Sequence, residues 1–131
     1  MKIRQAVPED FAEIDSFDVF SGDRNAEIRR NEVWVAMLAG TIAGYVTFNR
    51  SFYQKPFIQY LNVKVEYRKQ GVGQALIESI EGGCNNEKLF TSTESNNLTM
   101  IRMLEKRNFK VVGVIEQLQE MAEIIYCKEI N

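Results

Sequence analysis

Two incompatible hydrophobic periodicities meet between Ile58 and Ile80, in IQYLNVKVEYRKQGVGQALIESI. Ile58, Tyr60, Val63 and Val65 form a β-branched and aromatic run that predicts a strand. Val72, Ala75, Leu76, Ser79 and Ile80 follow the spacing of one helical face. Between them lies Arg68-Lys69-Gln70-Gly71-Val72-Gly73, so the strand must run through a glycine turn into the helix. Glycine lets backbone approach a ligand without Cβ collisions, and the first-turn N–H groups of a helix have no intrahelical acceptor. With the helix dipole and two adjacent cations, such a turn suits a phosphate group.

The rest of the chain supplies the frame for this unit. Ile3 to Ala6 predicts a short strand, and Pro8 opens a helix with Phe11, Ile14 and Phe17 on one side. A short helix is expected from about Asn25 to Arg30. Asp15, Asp18, Asp23 and Glu27 gather in this region as an acidic group that would suit the mouth of an amine site, or a solvated surface. Val33–Leu38 and Thr41–Asn49 flank Ala39-Gly40 as a tight hairpin. The following RSFYQKPF reads as a connection whose Phe52, Tyr53 and Phe57 either wall a pocket or pack over the sheet.

After Ile80 the helix is expected to end at a Gly82-Gly83 cap. Leu89–Thr93 predicts a strand, Asn96 or Asn97 caps a helix carrying Leu98, Ile101 and Leu104, and Lys110–Gln117 with Met121–Lys128 predict a closing hairpin. The element order is β-α-(α)-β-β-β-α-β-α-β-β. Its 131 residues fit one domain, 1–131, with no repeat or linker.

Composition narrows the chemistry. A net charge of -2 gives no reason to expect nucleic acid or an anionic membrane as partner, although Lys64, Arg68 and Lys69 form a local basic patch. No run approaches the roughly 18 apolar residues that span a bilayer, and MKIRQAVPED lacks a signal-peptide core, so a cytoplasmic protein is expected. Cys84 and Cys127 are too far apart in sequence for a metal-type pair and are read as thiols outside any disulfide. Histidine is absent, which removes Ser-His-Asp and Cys-His catalysis and the usual zinc sites; no metal is expected.

Three phosphate-binding patterns compete for the glycine turn. Nothing fits the P-loop spacing, and Leu76 stands where the dinucleotide fingerprint needs a third small residue. By contrast, Arg68 to Gly73 matches the pattern Gln/Arg-x-x-Gly-x-Gly/Ala throughout, in its expected place after LNVKVEYR. A second region, Asn97 through Leu104 to Asn108-Phe109, matches an Asn, a helix and a Gly-Phe pair, with Asn108 in place of the glycine. On these motifs, and on the order of elements across the whole chain, the sequence resembles the GNAT superfamily of acyl-coenzyme A dependent N-acyltransferases.

That resemblance implies an α+β fold, with a twisted, mostly antiparallel sheet of about seven strands and about four helices, splayed between the fourth and fifth strands. It implies acetyl-CoA as cosubstrate, its pyrophosphate on the turn at Gln70, Gly71, Val72, Gly73, Gln74 and Ala75, beside Arg68 and Lys69. The pantetheine arm would pair with the strand at Leu61, Val63 and Val65 and reach Asn97, unless Asn97 serves only as a helix cap. It also implies direct attack of a primary amine, of a small molecule, amino acid or protein, on the thioester. Holding a lysine-like amine neutral at pH 7 costs about 4 to 5 kcal/mol, so a base or a water leading to one is expected.

The family's usual proton donors are missing. The helix position where many relatives carry Tyr falls at Leu104, and the strand position where some carry a carboxylate falls at Ser92. Glu94 and Tyr60 become the candidate catalytic groups, with Glu66 and Tyr126 behind them. The losses leave open a coenzyme A binding or sensing domain without turnover, and a nucleotide-binding domain of unrelated chemistry. Monomer and homodimer are both compatible with the sequence.

Overall fold

The computed structural model describes residues 1–131. Its elements are β1 (Lys2–Gln5), α1 (Phe11–Asp15), α2 (Arg24–Arg29), β2 (Val33–Leu38), β3 (Thr41–Phe52), β4 (Lys55–Val63), α3 (Val72–Glu81), β5 (Lys88–Glu94), α4 (Leu98–Lys106), β6 (Lys110–Ile115) and β7 (Glu123–Glu129). The strands hydrogen-bond in the order β1-β2-β3-β4-β5-β7-β6. β4 and β5 are parallel, while β1–β2, β2–β3, β5–β7 and β6–β7 are antiparallel, which is the mixed, mostly antiparallel sheet expected. No helix is long and apolar enough to cross a membrane.

The chain folds as two compact units, one of Met1–Asn49 with Gln59–Gly83, the other of Arg50–Ile58 with Cys84–Asn131. In the first, Ile14, Ile28, Val33, Val35, Ile42 and Tyr45 form a buried cluster, with Phe11, Phe17, Met37 and Tyr60 packed against it. α3 contributes Val72, Leu76, Ile77 and Ile80 as a second buried row, each such side chain worth roughly 1.5 to 3 kcal/mol of transfer free energy. Of the face read in the sequence, Val72, Leu76 and Ile80 are buried, Ala75 is half-buried and Ser79 is exposed, and Ile77 completes the buried row instead. Gly44 lets β4 and α3 come close: a Cβ there would meet the Asn62 carbonyl oxygen at 2.8 Å and Val72 Cγ1 at 3.2 Å.

In the second unit RSFYQKPF is a tight hairpin rather than an open connection. Tyr53 and Gln54 take φ of 52° and 65°, the left-handed pair that a two-residue hairpin turn needs. The β3 and β4 strands therefore extend to Phe52 and from Lys55, and Phe52 stacks on Phe57 at 5.0 Å and lies 5.2 Å from Phe90. Of the three aromatics read as a wall, Tyr53 alone points to solvent, 85% exposed. The parallel ladder pairs Phe57 with Phe90 and Ile58 with Thr91 and goes no further, as expected of a sheet that opens between its fourth and fifth strands.

Both long helices end by local geometry. Asn108 takes φ 71°, Phe109 N–H donates to Leu104 O at 3.0 Å, and Asn108 N–H donates to Glu105 O at 3.0 Å. This is the Schellman arrangement, with Asn doing the work usually given to Gly. Gly82-Gly83 does end α3, but without a left-handed glycine: Gly82 has φ -61°, and Asn86 makes the positive-φ turn three residues later.

Candidate functional site

The glycine turn has the geometry its sequence demands. β4 stops at Val63, a 3-10 turn covers Val65–Tyr67, and Lys69 then adopts φ 63°. Gly71 follows at φ 81° and ψ 11°, a left-handed conformation that a Cβ would strain. No atom lies within 4 Å of where that Cβ would be, so the requirement for glycine is conformational and its outer side is open. Gly71 offers no side-chain cap, and the first bond of α3 runs from Ala75 N–H to Gly71 O at 3.0 Å. The amides of Val72, Gly73 and Gln74 precede it, while that of Ala75 is already engaged. Arg68, Lys69, Gln70, Gly71 and Gln74 are exposed, Gly73 and Ala75 half-buried, and Val72 buried as the helix's first core residue.

Beside the turn, at the end of β4, lies a cleft of about 360 Å³ within the first unit. Val63, Lys64, Val65, Glu66 and Arg68 form one side, Ser16, Phe17 and Val19 the other, with Asn62 at its base. The buried Asn62 donates from Nδ2 to Phe17 O at 3.2 Å, tying the segment after α1 to β4. Leu61 is half-buried on the strand before the cleft and does not line it. Arg68 turns its Nε to Val63 O at 3.1 Å, closing the turn over the strand end.

Lys64 does not join the basic patch. Its Nζ lies 3.4 Å from Glu13 Oε2 and 5.1 Å from the Phe17 ring centroid. Glu13 also accepts from the Thr41 hydroxyl at 2.5 Å and Ile42 N–H at 2.7 Å. The Thr41 hydroxyl chiefly, with the Ile42 amide and Lys64, holds that carboxyl below its ordinary range against the opposing effect of burial.

Two of the four acidic residues, Asp18 and Glu27, are likewise consumed inside the unit. Arg24, with 2% of its side chain exposed, donates from Nε to Asp18 at 2.9 Å, and also to Glu27 and to Ser21 O. Asp23 caps α2 by accepting from Ala26 N–H at 3.0 Å. Asp15 and Asp23 stay exposed while Asp18 and Glu27 are held by Arg24, so the four do not gather as an acidic mouth and that reading is corrected. Burial pushes the Asp18 carboxyl up, but the Tyr45 hydroxyl and Arg24 outweigh it and hold it low. Burial and the bond to Asp18 push the Tyr45 phenol far up. Tyr60 belongs to the same cluster: the Arg24 guanidinium stands 4.8 Å over its ring and Phe20 stacks on it at 4.7 Å.

The remaining candidates lie in the second unit. Glu94 is exposed at the end of β5, and its carbonyl accepts from Asn97 N–H at 3.0 Å. Asn97 caps α4, its Oδ1 accepting from Met100 N–H at 3.2 Å. Tyr126 is 2% exposed in the core, its phenol pushed up by burial. Sequence reasoning missed Glu123: it is half-buried on β7 and accepts from Ser92 Oγ at 2.6 Å and Gln119 Nε2 at 3.2 Å. A carboxylate therefore stands against Ser92 although the β5 strand does not carry it. Nothing in the sequence pairs residues 31 positions apart, and only the register of β5 on β7 brings them together.

The model of the acetyltransferase (GNAT) family matches residues 2–109. The chain belongs to that family. No curated protein matches it. Among solved structures, a GNAT-family acetyltransferase from Bacillus cereus ATCC 10987 is 20% identical, with TM-score 0.83 over 99% of this chain and 97% of that one. Naa20 of Chaetomium thermophilum, in complex with a bisubstrate analogue, is 16% identical, with TM-score 0.85 over 99% of this chain and 87% of that one. YncA of Salmonella typhimurium, solved with its cofactor acetyl-CoA, is 17% identical, with TM-score 0.79 over 100% and 94%. At these identities the structures share the GNAT fold. Within it, Leu104 is fully buried and anchors the end of α4, which accounts for an apolar residue at that position.

Proposed function

We propose that residues 1–131 act as one N-acetyltransferase domain, moving an acetyl group from acetyl-CoA to a primary amine of a small molecule, an amino acid or a protein. The observation that carries this is the left-handed, open Gly71 before the uncapped amides of α3. Phosphate oxygens complement those amides and the positive helix end. The coenzyme A pyrophosphate sits on Gln70, Gly71, Val72, Gly73 and Gln74, with Arg68 and Lys69 adding charge and the half-buried Ala75 shaping the floor. Leu61, Val63 and Val65 offer backbone to the pantetheine arm, and Asn97 adds a polar contact besides its capping role.

The amine nitrogen attacks the thioester carbonyl, the C–N bond forms, and the tetrahedral oxyanion collapses with loss of the thiolate. The proton of the amine goes to a base or through water to one. Glu94 and Tyr60 are the groups assigned to proton transfer. A thiolate of pKa about 8.5 leaves without a strong acid, so Leu104 at the usual donor position does not abolish the reaction.

A coenzyme A binding domain without turnover is the second reading, and the buried Leu104 favours it. Release of thiol from acetyl-CoA across a panel of amines and peptides separates the two: acceptor-dependent release supports transfer, and tight binding without release supports sensing. Gly71→Glu should weaken acetyl-CoA binding at least about tenfold by steric block and charge repulsion; unchanged affinity by calorimetry overturns the assignment of the turn. Glu94→Gln and Tyr60→Phe should each lower kcat and alter its pH profile, and profiles identical to wild type remove both assignments.

A further inference from the structure

The β5 strand loses its parallel partner early. Its rungs to β4 are Phe57 with Phe90 and Ile58 with Thr91, the second reinforced by Thr91 Oγ1 donating to Ile58 O at 3.0 Å. Ser92 is the next residue, so it stands where the sheet opens and β5 presents an edge that a ligand can meet. On its other side β5 stays paired, Ser92 with Ile125 and Glu94 with Glu123. Strand alternation puts Ser92 and Glu94 on one face, and Glu123, opposite Glu94, joins them there.

That face holds a hydroxyl and two carboxylates, an arrangement that strand pairing disfavours, because like charges directly opposite each other destabilise a sheet. Asp10, Glu13 and Asp18, also withdrawn from solvent, are each given a cation, Arg4, Lys64 and Arg24. Glu123 forms no ion pair. Its partners are two neutral donors, Ser92 Oγ at 2.6 Å on Oε2 and Gln119 Nε2 at 3.2 Å on Oε1. A clip between β5 and β7 needs no charge, and glutamine would serve it without the repulsion. A carboxylate kept here suits proton uptake, since a neighbouring cation favours the charged form of a carboxylate and opposes that step. The bond to Glu123 also uses the one proton of the Ser92 hydroxyl, which leaves its lone pairs for another donor.

We infer that Ser92 and Glu123 form a proton relay for the acceptor amine, with Ser92 as the catalytic residue and Glu123 as the group that positions it and takes its proton. The relay rests on the acetyl-transfer reading above. A primary amine loses two protons on the way from ammonium to amide. The first leaves before attack, to water or through the exposed Glu94. The second sits on the nitrogen of the tetrahedral intermediate once the C–N bond has formed. It passes to Ser92 Oγ as the Ser92 proton passes to Glu123 Oε2, and the C–S bond breaks with its electron pair on sulfur. Glu123 then yields its proton to water.

The test uses the full chain with saturating acetyl-CoA and the amine that releases thiol fastest in the panel. Ser92→Ala and Glu123→Gln should each lower kcat about a hundredfold, with KM for acetyl-CoA within about twofold of wild type. Glutamine keeps an oxygen that accepts from Ser92, so a merely structural clip would leave the kcat of Glu123→Gln near wild type. Ser92→Thr, which returns the hydroxyl, should recover most of the rate. Because the two groups act in series, the double variant should be no slower than the slower single. Wild-type kcat in Glu123→Gln or Ser92→Ala, no recovery in Ser92→Thr, or a double variant slowed by the product of the two effects overturns the relay and leaves acetyl transfer standing. A wild type that releases no thiol with any amine overturns transfer itself, and the relay with it.

Discussion

Arg24 holds a full charge with 2% of its side chain exposed. A cation so deep is tolerated because two carboxylates and a carbonyl surround its guanidinium, and removing one partner leaves buried charge uncompensated. Asp18→Asn should therefore lower stability by about 3 to 5 kcal/mol, read as a fall in the urea midpoint, and a loss below about 1 kcal/mol would show that water reaches the site. None of this pairing was legible in the chain. The carboxylates Asp18 and Glu27 were visible as acidic residues near a possible amine site, and Lys64 as a cation near a phosphate turn. The sequence shows each charge but not its neighbour, because Lys64 meets Glu13 across 51 residues and no periodicity records such a contact.

Elements fared better, because what defines them is local. The switch from strand to helix period, the glycine requirement at Gly71 and the left-handed tolerance of Asn108 all act within a few residues, and all are seen in the structure. The hairpin at Tyr53-Gln54 was missed for the same reason in reverse: neither residue is a usual left-handed one, and the strands impose the turn from outside. Asn108 gives this scale its test. Asn108→Gly should hold or slightly raise thermal stability, whereas Asn108→Val should cost about 1 to 2 kcal/mol, because a β-branched residue resists φ near 71°. Equal melting of the two variants would mean that α4 ends by some other means.

At the scale of the whole molecule, the fold class and the left-handed glycine turn are readable in the sequence, and the acceptor is not. The depressed carboxyls Asp10, Glu13 and Asp18 set the acid limit. A carboxyl lowered on folding contributes stability that is complete above its unfolded pKa of about 4 and is lost as pH falls through the folded value. With no histidine in the chain, no ordinary side chain titrates between about pH 5 and 8. Thermal melts should be level across that window and fall progressively below about pH 4, and a slope between pH 6 and 7 would contradict this assignment. A pH dependence of acetyl transfer near neutrality would then belong to the acceptor amine or to a shifted proton carrier.

β4 changes company between Ile58 and Gln59, so each compact unit is drawn from two separate lengths of chain. During synthesis this imposes a schedule. Once Gly83 has left the ribosome, every residue of the first unit exists and its core can close. The hairpin tip from Arg50 to Ile58 must then wait, its Phe52 and Phe57 stacked on each other but still without Phe90, until the last third of the protein is translated.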